Sequence, residues 1–143
     1  MILMKPLTAL QITCEVNMLL LDTHVLLWYL RDSMELPRQI NDTISKAADV
    51  ATSAICLWEL AIKASIKKLE LELSLAQIED LCIEKGIKIL PLRTVDMDII
   101  KTLPDIHKDP FDRMLVCQAI NNAAIIITKD DNIARYPVRT LWV

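Results

Sequence analysis

Apolar positions in this chain fall into short continuous runs and longer runs of helical spacing, separated by polar breakers. The short runs "MLLL" (18–21), "IKIL" (87–90), "AIIIT" (124–128) and the final "RTLWV" (139–143) read as strands, and residues 49–52 as another. Helical spacing predicts helices over 23–31, 37–48, 54–66, 94–103 and 110–123. Pro37 falls in the first turn of its helix and Ser53 is a good N-cap for the helix after it. A further helix occupies "SLAQIEDLCIEKG" (74–86), with Ser74 as its cap and Gly86 as a left-handed stop. Continuously apolar strands separated by helices predict an α/β fold: a mainly parallel sheet with helices on both faces. In such sheets function gathers outside the carboxyl ends of the strands. No internal repeat or interdomain linker interrupts residues 18–143, which read as one domain. Residues 1–17 read as an N-terminal extension or an upstream start, because Met18 stands where the first strand begins.

Composition narrows the chemistry. The 143 residues are 53% hydrophobic, but no apolar run reaches the ~18 residues of a membrane span. "MLLL" meets Asp22 and "VLLWYL" meets Arg31. The start lacks the pattern of a signal peptide, so a cytoplasmic domain without membrane contact is expected. Cys14, Cys56, Cys82 and Cys117 are dispersed, and with only His24 and His107 beside them they predict buried reduced thiols rather than a zinc site. A net charge of −3 argues against nucleic-acid binding through a general basic field, so any such role must rest on a local site. The single glycine, Gly86, excludes the Gly-rich dinucleotide fingerprint, the phosphate loop and the nucleophile elbow.

Four carboxylates stand out, each with a structural explanation of its own. Asp22 ends the first strand and can cap the following helix. Glu59 lies on the apolar line Ile55, Glu59, Ile62, Ile66, where it must be paired, protonated or bound to a cation; Lys63 at i+4 is one partner. Asp130 follows a strand within an ordinary turn sequence, "KDDN". In "HKDPFDRMLVCQA" (107–119), Asp109 caps a helix that begins at Pro110, and Asp112 takes the third helical position of a variant capping box. Taken together, clustered carboxylates repel unless a hard cation holds them. Oxygen-only ligation points to Mg²⁺ or Mn²⁺, which suits phosphodiester hydrolysis.

The blocks "LLLDTHVLLWYL", "SAICLWELAIK", "HKDPFDRMLVCQA" and "IIITKDDNIARYPVRTLW" resemble the four signature blocks of PIN-domain proteins, in order, from about Met18 to Trp142. The branch they resemble most is the VapC-like toxins of type II toxin–antitoxin pairs. The resemblance implies a PIN-like three-layer α/β/α sandwich with a mainly parallel central sheet. It implies a Mg²⁺- or Mn²⁺-dependent endoribonuclease acting on an RNA substrate, a cognate antitoxin protein that blocks the site, and a homodimer. Carried over by position, Asp22, Glu59, Asp112 and Asp130 are the catalytic, metal-binding set. Thr23 and Thr128 are supporting hydroxyls, and Lys63, Lys108, Arg113 and Lys129 are phosphate-contact candidates or solvated surface charges. The chain departs from the family pattern after "WELAIK", where relatives commonly carry a glycine and this chain has Lys67. Two other readings stay open on these residues: a catalytically idle PIN fold that serves as a binding module, and a metal-dependent nuclease or phosphatase with a non-RNA substrate.

Overall fold

The computed structural model describes residues 17–143. The extension expected over residues 1–17, and Cys14 within it, fall outside the described residues except for Asn17. Five strands form one wholly parallel sheet: β1 (Leu19–Leu21), β2 (Val50–Ser53), β3 (Ile87–Leu90), β4 (Ile125–Ile127) and β5 (Arg139–Leu141). Their order is β3-β2-β1-β4-β5. The chain thus builds outward from β1 in one direction and then restarts on its other side. β1 and β4 therefore flank the point where the strand order reverses, and a crevice opens there at the carboxyl edge.

Among the described residues the helices are α1 (Thr23–Leu30), α2 (Arg38–Lys46), α3 (Ala54–Ser65), α4 (Leu75–Glu84), α5 (Thr94–Ile100), α6 (Pro110–Asn122) and α7 (Asp131–Ala134). Strand alternation sorts the core into two layers. Leu19, Leu21, Ile125 and Ile127 face a cluster with Val25 and Leu26 of α1, Ile40 and Ile44 of α2, and Ile78 and Cys82 of α4. Leu20 and Ile126 face the opposite cluster, with Met114, Leu115 and Cys117 of α6 and Ile133 of α7. α3 serves both, giving Leu60 to the first and Ile55 and Cys56 to the second. The result is the expected three-layer α/β/α sandwich. Cys56, Cys82 and Cys117 are buried free thiols, as expected. No described helix is long and apolar enough to cross a membrane.

Local signals set most boundaries. Ser74 and Gln77 form a reciprocal capping box at α4, and Gly86 closes that helix at φ 74°. Nothing lies within 4 Å of a Cβ built on Gly86, so the backbone angle, not space, calls for glycine there. Four details differ from the sequence reading. Pro37 is the N-cap residue rather than the first helical one, and α2 ends at Lys46 because Ala47 turns extended. α5 stops at Ile100, short of residue 103. "DDNIA", expected as a turn, contains the short helix α7, capped by Asp130. The apolar line on α3 is buried only in its first half: Ile55 and Glu59 are 7% exposed, but Ile66 is 55% exposed, since α3 outruns the layer it packs on.

Among the described residues, three other than glycine adopt left-handed backbone: Asp32 (φ 52°), Lys67 (φ 58°) and Ala123 (φ 49°). Lys67 is the position where relatives commonly carry glycine. Lys67 makes a left-handed turn here without glycine, and α3 ends at Ser65.

Candidate metal and nuclease site

Each acidic side chain arrives at the carboxyl edge through its own local cause. Asp22 ends β1 and caps α1, its Oδ1 accepting from the Val25 amide at 2.9 Å. Its Oδ2 accepts from the Thr128 hydroxyl at 2.5 Å, a contact between residues 106 apart in sequence. The Thr128 oxygen accepts in turn from the Asp130 amide at 3.0 Å, so one threonine at the end of β4 ties two of the acids together. Asp130 Oδ1 accepts from the Asn132 amide and caps α7. Glu59 reaches the edge from α3, where Thr23 donates to its Oε1 at 2.6 Å and Lys63 lies 3.1 Å from its Oε2. The expected ion pair is therefore present, and it occupies one oxygen only.

Asp109 and Asp112 divide their roles. Asp109 Oδ1 accepts from both the Phe111 and Asp112 amides, at 2.8 and 3.1 Å, with Pro110 opening the helix. Asp112 does not complete a capping box. Its Oδ2 lies 3.2 Å from His107 Nε2 instead.

These groups line one cavity of about 420 Å³. Asp22, Glu59, Asp112 and Asp130 all line it, together with Asp109, Lys63 and Lys129, and His24, Val25 and Trp28 of α1 form a flank of two ring side chains and a valine. A hydrated cation with six waters, at ~30 Å³ of liquid volume each, takes less than half of that space. Of the phosphate-contact candidates, Lys63 and Lys129 reach the cavity and Lys108 and Arg113 are not among its lining residues. Arg113 is spent on structure: its Nη1 donates to the Pro104 carbonyl at 3.0 Å and to the Tyr136 hydroxyl at 3.3 Å.

The electrostatics are those of a site short of positive charge. Burial, and then the negative charges of Asp109, Asp130, Glu59 and Asp22, push the Asp112 carboxyl up to about 8. Burial also raises Asp22 above the usual carboxylate range, against the hydrogen bonds from Thr128 and Val25, which lower it. A divalent cation would reverse both shifts, since it favours the charged carboxylates that burial and mutual repulsion disfavour. The donor chemistry fits a hard, oxygen-seeking ion. One atom each of His107, Asp112 and Asp130 lie within 4.8 Å of one another, while the more buried Asp22 and Glu59 face the same cavity from the sheet side.

His107 and Trp28 were not singled out by sequence reasoning. His107 belongs to the quoted block "HKDPFDR", immediately before the capping aspartate, and that adjacency was the one available signal.

No curated protein sequence matches the chain. Among solved structures, it is similar to VapBC2 from Rickettsia felis bound to a DNA fragment from their promoter, with TM-score 0.66 at 15% identity, covering 87% of this chain and 97% of that one. It is also similar to FitAB bound to an IR36 DNA fragment, with TM-score 0.62 at 18% identity, covering 86% and 93%. A third likeness is to FitAcB from Neisseria gonorrhoeae, with TM-score 0.61 at 18% identity, covering 87% and 96%. At these identities the likeness is one of fold. The family profile described as the PIN domain matches residues 19–138. PIN domains are in general nucleases. With that match spanning β1 to β4 and all four acidic positions, this chain belongs to the PIN-domain family.

Proposed function

We propose that this protein is a Mg²⁺- or Mn²⁺-dependent endoribonuclease and the toxin of a toxin–antitoxin pair. The observation that carries the reading is the convergence of Asp22, Glu59, Asp112 and Asp130 on one cavity at the switch point of the sheet. Capping and ion pairing account for each acid singly, but bringing four carboxylates to one cavity costs folding energy through mutual repulsion that a cation would relieve. Asp22 and Asp112 hold the cation most firmly; Glu59 completes the site, and Asp130 acts directly or through water. Thr128 and Thr23 fix the carboxylates of Asp22 and Glu59 by donating to one oxygen of each, which leaves Glu59 Oε2 to Lys63 and Asp22 Oδ1 to the α1 cap. When bound, the metal ion supplies Lewis acidity toward the phosphate and lowers the pKa of a water. Lys63 and Lys129 stand where they can meet the phosphate charge, and the flank of His24, Val25 and Trp28 leaves room for the rest of a nucleotide.

The cognate antitoxin, the homodimer and the cytoplasmic setting belong to the same proposal. They are supported by family membership and by the fold likeness to the VapBC2 and FitAB complexes. The test is cleavage of RNA, single-stranded DNA and a small phosphoester by the pure protein, side by side. Mg²⁺-dependent cleavage confined to RNA, and abolished by Asp22→Asn and by Asp112→Asn, is the expected result. Cleavage that survives both substitutions would mean the site is elsewhere.

A further inference from the structure

We propose that His107 supplies an imidazole nitrogen to this metal site, beside Asp112 and Asp130, and that the site therefore takes Mn²⁺ in preference to Mg²⁺. The inference rests on the metal-site reading above and goes beyond its oxygen-only ligand set.

Geometry is the first support. His107 Nε2 lies 3.2 Å from Asp112 Oδ2, and a ring nitrogen of His107 and one carboxylate oxygen each of Asp112 and Asp130 lie within 4.8 Å of one another. An octahedral ion with bonds of ~2.1 Å keeps adjacent donors ~3 Å apart and opposite donors ~4.2 Å apart, so one ion can span all three with small adjustments.

The second support is how His107 is held. It sits in a stretch between α5 and α6 with no helix or strand, which by itself would leave a side chain loosely placed. Yet its amide donates to the Tyr136 hydroxyl at 2.9 Å, and that hydroxyl donates back to the His107 carbonyl at 3.2 Å. Tyr136 is only 2% exposed, and Arg113 donates to the same hydroxyl at 3.3 Å and to Pro104 in the same stretch. Arg113 and Tyr136 thus act as positioning residues for one histidine. A histidine that merely paired with a surface carboxylate would have no need of a buried anchor.

Chemistry supplies the metal preference. Carboxylate and water ligands suit Mg²⁺ and Mn²⁺ alike, but a nitrogen donor favours a first-row transition metal over Mg²⁺, so one imidazole in the set tilts the choice between these two ions toward Mn²⁺.

The test uses Mn²⁺ as its own probe. Pulsed electron paramagnetic resonance of the Mn²⁺-loaded protein is expected to show nitrogen modulation from a directly bound imidazole. The modulation should disappear in His107→Gln, with Mn²⁺ bound at least about tenfold more weakly, the scale on which even outer partners of a ligand count. Mg²⁺ affinity, followed by thermal shift, should fall less. His24→Gln keeps the signal, which identifies the imidazole even if His107→Gln folds poorly. Bound Mn²⁺ without nitrogen modulation, or modulation that persists in His107→Gln, overturns the inference and leaves an all-oxygen metal site standing. Binding of neither ion overturns both.

Discussion

Replacing Asp112 with asparagine should make the metal-free protein more stable, although it removes a residue central to the proposed activity. In the folded chain the Asp112 carboxyl titrates near 8, against 3.8 when unperturbed. A raised folded pKa means stability that is fully present below about pH 4 and is lost as pH rises toward 8. At pH 7 the unfolded chain has released this proton while the folded one retains it, and about three pH units at ~1.4 kcal/mol each amount to ~4 kcal/mol. Some 19% of the side chain is open to solvent, and asparagine loses the carboxyl's contact to His107. Halving the figure for these gives a gain of ~2 kcal/mol, or ~6 °C in Tm for a chain of this size. The assay is thermal or urea unfolding of both proteins in chelator, from pH 4 to 9. The two curves should coincide near pH 4, separate up to about pH 8, and run parallel above it. A gap that does not change with pH, or a variant less stable than the parent at pH 7.5, would refute the account of Asp112 as a repelled, desolvated acid.

Saturating Mn²⁺ or Mg²⁺ should raise the Tm of the parent and leave Asp112→Asn nearly unmoved, because an ion that binds only the folded state stabilises it by mass action; a scan with and without chelator reads this. Asp109→Asn should keep both cap and cleavage, while Asp109→Ala should lose ~1 kcal/mol of stability, by unfolding and by RNA assay in parallel. Lys67→Gly and Ala123→Gly should each raise stability by roughly 0.5–1 kcal/mol, since both residues pay for left-handed backbone that glycine adopts freely; urea midpoints measure the gain.

What could be read in the chain was what is encoded locally. "MLLL" and "AIIIT" announced buried parallel strands because no polar face interrupts them. Ser74 and Gly86 bracketed α4 because caps act over one turn. The acids were legible as departures from local rules: Glu59 on an apolar line, Asp112 at a capping position for which its side chain is too short. His107 was not legible as a site residue because Tyr136, 29 residues downstream, sets its place. Arg113 looked like a phosphate contact for the converse reason: its obligations to Pro104 and Tyr136 exist only in three dimensions. Ile66 belongs to the apolar line yet is exposed, because helical periodicity says which face is apolar, not where the neighbouring layer ends.

The hydrogen bond from Thr128 to Asp22 makes the cavity depend on docking between distant parts of the chain. It closes a loop of 106 residues, so the first and fourth strands must both be docked before the cavity has walls. A fragment that lacks either strand therefore cannot carry the complete cavity. The same closure makes the cavity a gauge of the whole fold, since any excursion that undocks either strand takes it apart.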